Sequence, residues 1–217
     1  MGPIGDALGI ISFLTELGEG SKGSISGTRL TIGVNREGDK DDDFYGRIRV
    51  VWGFDVYNNI LGSSDMEIKL DQSREGASHD VLIHQVMGQE AQAAFIDIIA
   101  SDDGICITHV TANFPEKGEP WTWTEDIGAA CGQAWHYGSL QRGTTESGEP
   151  YFPKCTWIDT DGGVDIDKDP VPITNRQMKI NLLAYGGDAA GKGLDYYCGA
   201  TIFTHDNADP IAGPQTN

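Results

Sequence analysis

Basic residues are scarce. Fifteen lysines and arginines stand against 33 aspartates and glutamates, a formal net charge of −18. A surface of that sign repels a phosphate backbone, so the composition argues against nucleic acid as a partner. Anionic bilayers are disfavoured for the same reason. Long apolar runs are also missing, and nothing approaches the ~18 continuous apolar residues of a spanning helix. No CxxC pair is present, which removes the usual zinc knuckle and the thioredoxin motif. His79, His84, His109, His136 and His205 show neither HExxH nor HxH spacing, so no catalytic zinc site is signalled. There is no P-loop and no GxGxxG. The closest approach to a serine nucleophile elbow is GSISG (residues 23–27), and it sits in a Gly/Ser stretch instead of a strand-to-helix turn.

The N-terminal stretch GPIGDALGIISFL lacks a preceding Lys or Arg, and Asp6 interrupts it. It therefore does not read as a secretory signal. Asp6 also stands where a myristoylation site wants Ser or Thr. Residues 4–17 read instead as an amphipathic helix. Ile4, Ala7, Leu8, Ile11 and Leu14 recur at helical spacing, and Gly18 and Gly20 stop it. Such a helix either packs on the rest of the protein or inserts into a bilayer. Its polar side carries Asp6 and Glu16 and no base, whereas interfacial helices are usually basic.

What is there in quantity is glycine, 29 residues in a chain of 217, set mostly between short apolar runs. That spacing means many turns and many short strands. Hydrophobic residues at 39% and charged residues at 22% suit one soluble globular domain with a sizeable core. Alternation predicts strands over 24–34, 44–57 and 66–70, GICITHVTANF (104–114) is the clearest strand, and further strands are expected at 120–124, 154–158, 178–185 and 196–204. Residues 80–86 and 93–100 are apolar runs, the second of which fits a buried strand or a short helix. The expectation is an all-β fold, an antiparallel β-sandwich or barrel, with a short N-terminal α-helix. Its divisions are a helical segment 1–20, one β domain 21–205, and a Pro/Gly/Asn-rich tail 206–217.

The four cysteines are Cys106, Cys131, Cys155 and Cys198. An even count at wide spacing suits two disulfides in a secreted or extracellular protein, with three pairings open. Cys131–Cys155 is the attractive pair, since both flank one long loop. The alternative is four buried thiols in a cytosolic domain.

Two constellations carry possible chemistry. The first is CTWIDTDGGVDIDKD (residues 155–169), with Asp159, Asp161, Asp165, Asp167 and Asp169 threaded by glycine and valine. Aligned as an EF-hand loop it matches at Asp159, Asp161, Gly162 and Val164, but Trp157 and Lys168 fall where the two end ligands belong. It is not an EF-hand. A looser oxygen cage for Ca²⁺ from Asp159, Asp161, Asp165 and Asp167 is the candidate metal site, and a solvated acidic loop is the alternative. The second constellation is aromatic. WTW (Trp121, Trp123) and WHY (Trp135, His136, Tyr137) flank TEDIGAACGQ. Trp121 and Trp123 point to one face of a strand. Exposed, Trp121, Trp123, Trp135 and Tyr137 would stack on sugar rings while Glu125 and Asp126 accept hydroxyl hydrogen bonds. Buried, the tryptophans would plug a sandwich core. Glu125 or Asp126 with Asp159 or Asp161 would be the pair for a glycan-acting hydrolase or lyase.

ICITHVTANF (105–114), TWTEDIGAACGQAWHYGS (122–139) and CTWIDTDGG (155–163) resemble blocks of a poorly characterised family of β-rich, cysteine-containing proteins of filamentous fungi. The matching positions are Cys131, Trp135, Tyr137, Cys155, Trp157, Asp159 and Asp161. The family continues with His and Asn-Gly where this chain has Gly162 and Gly163. The likeness covers about a quarter of the chain and implies a fungal, secreted, β-rich protein without implying an activity. The N-terminal helix followed by TRLTIGVN also resembles the start of actinoporin-type cytolysins, whose aromatic headgroup cluster is not recognisable here. The function expected is a non-enzymatic binding protein for glycan or a cell-surface component, with Ca²⁺ as candidate cofactor. The alternatives are a membrane-active protein using residues 4–17 and the glycan-acting enzyme.

Overall fold

The computed structural model describes residues 27–35, 46–69, 78–85, 91–101, 104–113, 121–124, 126–137, 141, 144–145, 147–160, 175–185 and 192–204. The expected N-terminal helix, the C-terminal tail, Glu125, Asp161, Asp165, Asp167 and Asp169 lie outside the described residues.

Among the described residues, eleven strands form one antiparallel sheet. They are β1 (Thr28–Asn35), β2 (Ile48–Phe54), β3 (Ile60–Ser63), β4 (Ser78–Gln85), β5 (Phe95–Ala100) and β6 (Ile105–Asn113). The rest are β7 (Trp121–Thr124), β8 (Trp135–Tyr137), β9 (Lys154–Ile158), β10 (Gln177–Asn181) and β11 (Thr201–Thr204). Two short helices, α1 (Asp126–Ala130) and α2 (Leu194–Gly199), and a 3-10 turn (Leu182–Tyr185) complete it. The spatial order is β11-β10-β5-β2-β3-β4-β1-β6-β9-β8, with β7 added to β6 off that path. The all-β expectation therefore holds.

The sheet folds over on itself. Inward residues of β1 and β6 (Leu30, Ile32, Val34, Ile105, Ile107, Val110) meet those of β2, β5 and β10 (Ile48, Val51, Ile96, Ile98, Met178, Ile180) in one buried cluster. Each such aliphatic side chain contributes roughly 1.5–3 kcal/mol when fully buried. β4 makes the corner. Its residues Ser78–Ile83 pair with β1, and His84 and Gln85 pair with β3. Gly62 is required there, because a Cβ at that position would lie 2.0 Å from the His84 carbonyl oxygen.

β6 is the shared strand of the first layer. One edge pairs with β1 along most of its length. The other edge is divided: Ile105–Ile107 pair with β9, and His109–Ala112 pair with β7. Nine residues of continuous apolar and β-branched character, ICITHVTAN, suit a strand covered on both faces, and both His109 and Val110 are buried.

β7 carries Trp123 into the core, where it is 1% exposed. Its indole N–H donates to Thr201 Oγ1 at 3.1 Å, on β11 at the far end of the strand order. Tyr185 Oη shares that threonine hydroxyl at 2.7 Å and donates to the Tyr197 carbonyl at 3.2 Å. Burial, against the hydrogen bonds from Thr201 and Trp123, pushes the Tyr185 phenol up to about 12. The two layers are thus pinned at their open side.

Two disulfides staple the chain. Cys106–Cys155 joins β6 to β9, and Cys131–Cys198 joins the end of α1 to α2. The expected Cys131–Cys155 pair is corrected. Both residues do border one loop, but Cys155 sits on β9 beside β6, facing Cys106, with Cα atoms 5.2 Å apart. Sequence separations of 49 and 67 residues correspond to ~4 kcal/mol of loop-closure stabilisation each. Such bonds are consistent with an extracellular protein.

Other departures have physical reasons. A bulge between Ile48 and Val50 breaks the expected Ile48/Val50/Trp52 alternation, so that Val51 joins Ile48 in the core. Of the predicted strand 66–70, the described residues 66–69 form only a bridge, Ile48 to Ile68, where Glu67 adopts a positive φ of 58°. The predicted strand 196–204 begins as α2, held by the Cys198 staple, and only Thr201–Thr204 is extended.

Trp123→Ala is expected to lower unfolding free energy by about 3–5 kcal/mol. Equilibrium urea denaturation measures it, and a loss below about 1 kcal/mol would show that the indole does not hold the layers together.

Candidate functional site

The aromatic segments divide between core and surface. Trp123 is core, and Trp121 packs partly buried against the same cluster. The stacking surface expected of these two is therefore not a surface. WHY behaves oppositely. Trp135, His136 and Tyr137 form β8, the end strand of the sheet order, and all three are exposed.

Trp135 and Tyr137 share one face of β8, with ring centroids 4.9 Å apart and planes at 89°. They are 37% and 60% exposed. Lys154, paired opposite Tyr137 on β9, brings its ammonium to 4.7 Å from the Trp135 ring centroid. The cation–π contact holds the indole and adds a hydrogen-bond donor beside it.

The backbone beneath this platform is fixed at several points. Ala134 packs with Cys106, Cys155 and Trp157 in a second buried cluster around the disulfide. The Trp157 N–H donates to the Ala134 carbonyl at 3.0 Å. Upstream, Cys131 is bonded to Cys198. Asp126, expected as a ligand group, anchors this region instead. It accepts hydrogen bonds from the Tyr151 hydroxyl and, at 3.3 Å, from the Lys154 N–H.

Asp159 is 2% exposed, just past the end of β9, and its N–H donates to the Asn175 carbonyl at 2.8 Å. Lys154 opens β9 and Asp159 follows its close, so about 16 Å of strand separates Lys154 from this aspartate, while Trp135 pairs with Thr156, three residues before it. Among the described residues, no group of three or more His, Cys, Asp and Glu is placed to hold a metal ion. Asp161, Asp165 and Asp167 remain outside the described residues.

A second ordered feature escaped the sequence reading, the turn joining β2 to β3. Asp55 Oδ1 accepts the N–H groups of Tyr57 and Asn59, each at 2.8 Å, and Oδ2 accepts from Asn59 Nδ2 at 2.8 Å. The turn presents Val56 and Tyr57 to solvent, and Asn58 takes a left-handed φ of 66°. Beneath it lies Lys179, 4% exposed, on β10. Its ammonium stands 3.6 Å from the Phe54 ring centroid and 5.8 Å from that of Phe95, and donates to Asn58 Oδ1. Asp97 of β5 is its register partner. Burial lowers the Lys179 ammonium and Asp97 opposes that shift, leaving the group below its ordinary value. A Lys between Met178 and Ile180 reads in sequence as a solvent-facing strand position, so only its neighbours in space reveal it.

No protein-family model matches the chain, and no curated protein matches it.

Burial raises the Asp55 carboxyl, but the hydrogen bonds from Asn59 and Tyr57 together outweigh it and hold the group below its ordinary value. A folded-state value below the unfolded one means that the turn gains from ionisation above about pH 4 and loses that gain as pH falls through the folded value. Amide exchange protection at Tyr57 and Asn59 should therefore drop as pH falls through the folded-state value of Asp55 and be low at all pH in Asp55→Ala. Equal protection in the variant at neutral pH would refute the role of the carboxylate.

Proposed function

We propose that the protein is a secreted, non-enzymatic binding module whose ligand is a glycan of a cell surface. The ligand stacks on Trp135 and Tyr137, and Lys154 donates a hydrogen bond to a ring hydroxyl. The observation that carries this reading is the pair of exposed aromatics on a strand fixed by a disulfide cluster. An aromatic face matches the apolar C–H face of a sugar ring, and a platform fixed beforehand reduces the ordering cost of binding. The net charge of −18 disfavours anionic glycans, so a neutral sugar fits best. The two disulfides support the extracellular setting. The resemblance to a secreted fungal family points the same way.

The glycan-acting enzyme is the weaker reading. Asp126 lies by Lys154 and Asp159 beyond Ile158, at opposite ends of β9. Glycoside hydrolysis wants its two carboxyls ~5–9.5 Å apart.

The test is isothermal titration of neutral oligosaccharides chosen from a glycan array. Trp135→Ala and Tyr137→Ala should each weaken binding by about tenfold or more, an effect of ~1.4 kcal/mol. Both side chains are exposed, so melting temperature should move little. Paired titrations in Ca²⁺ and in chelator separate a platform that works alone from one that depends on the aspartate run at 159–169. An array with no hit, or a hit unaffected by both variants, would remove the platform from the reading.

A further inference from the structure

We propose that Lys179 and Asn58 form an intramolecular amide cross-link, with Asp97 as the proton carrier. This inference stands apart from the glycan reading and concerns the opposite layer of the sandwich.

The geometry is that of a nucleophile held on its electrophile. Lys179 Nζ contacts Asn58 Oδ1 at 2.5 Å, across 121 residues of sequence. The carboxamide carbon is one C=O bond further, so it lies at most about 3.7 Å from Nζ, close to the ~3–3.5 Å of a near-attack pair. Both partners are held in place. Lys179 extends from β10 between β5 and β11, with Asp97 and Ile202 as its register neighbours. Asn58 is set by the Asp55 turn, in which the Asn58 N–H donates to the Asp55 carbonyl at 3.0 Å.

The surroundings favour the reaction. An ordinary surface lysine is protonated and hydrated, and therefore inert as a nucleophile. Lys179 is almost wholly buried. Burial lowers its affinity for the proton, which brings the neutral amine within reach. Asp97 is fully buried on the same face of the sheet, directly across the β5–β10 pairing. Side chains so paired have Cβ atoms ~5 Å apart, and the Asp97 carboxylate acts electrostatically on the Lys179 ammonium.

The step balances without any outside reagent. The neutral amine attacks the Asn58 carboxamide carbon, and the Nζ–Cγ bond forms. Asp97 takes a proton from Nζ and delivers it to the departing Nδ2. The Cγ–Nδ2 bond breaks, and ammonia leaves. No oxidant or reductant is needed. The product is a Lys179–Asn58 amide that ties β10 to the β2–β3 turn.

The experiment is intact mass spectrometry of the purified, reduced and alkylated full chain, followed by peptide mapping. The expected wild-type mass is lower than that calculated for the fully alkylated sequence by about 17 Da, the mass of ammonia lost in the acyl transfer. Lys179→Arg and Asn58→Ala should show the full mass of their own sequences. Asp97→Asn should show the full mass or slow acquisition of the loss while retaining the wild-type far-ultraviolet spectrum. A peptide pair joined through Lys179 and Asn58 identifies the bond. A wild-type protein at full sequence mass after prolonged incubation overturns the proposal. So does a loss of about 18 Da mapped to Lys179 and Asp97, which is condensation with release of water.

Discussion

The indole N–H of Trp123 is the contact on which the closed shape depends. A sheet of eleven strands that curls over has two ends to bring together, and the strand order leaves β11 and the β6–β7 side far apart along the hydrogen-bonded path. Trp123 spans that gap by filling core volume and donating to Thr201. A buried indole N–H without an acceptor would cost roughly 1–3 kcal/mol. Thr201 therefore does more than pack. Its hydroxyl also meets Tyr185, so one small side chain serves two aromatic polar groups from different elements.

Because Trp123 is committed to closure, the polypeptide after it is constrained at its start. The chain leaves β7, makes α1, and arrives at β8 within a dozen residues. Asp126, Cys131 and Ala134 each tie that passage to a different part of the fold. Trp135 and Tyr137 are thus exposed by construction, since β8 lies beyond β9 at the rim of the first layer. The same sequence block, WTW to WHY, supplies a core plug and then a surface platform. Composition alone does not distinguish the two roles; distance from β6 does.

This is also where the sequence was legible and where it was not. Alternation identified β1, whose Leu30, Ile32 and Val34 are buried at period two, and apolar runs marked β4 and β5; β6 is apolar and β-branched throughout because both of its faces are covered. β3 (ILGS) was missed because four residues with a glycine carry no period, and β8 because a strand with every side chain exposed has no buried face to count. α2 read as strand because LDYYCG is aromatic, and its helix is set by tertiary contacts and the Cys198 staple. Of the candidate site, Trp135 and Tyr137 were named, while Lys154 was not, since its relation to Trp135 exists only through the β8–β9 register. The buried Lys179 was beyond reach for a related reason. Its partners come from the β2–β3 turn, β2 and β5, and no local pattern joins them.

The distribution of covalent ties gives the last constraint. One disulfide lies within the first layer, and the other ties α1 to α2, the helix that leads directly into β11. Neither is bonded to β2, β5 or β10, the strands that meet the β2–β3 turn. A chain with a net charge of −18 repels itself. In the second layer, the opposing contacts are apolar packing and the Lys179 group. Burying an ammonium is costly unless neighbours compensate it. Phe54, Asn58 and Asp97 come from three separate segments to do so. A simple aliphatic residue would fill the same space without that requirement. Retaining lysine there makes the position of the turn depend on β10, a strand to which neither disulfide is bonded.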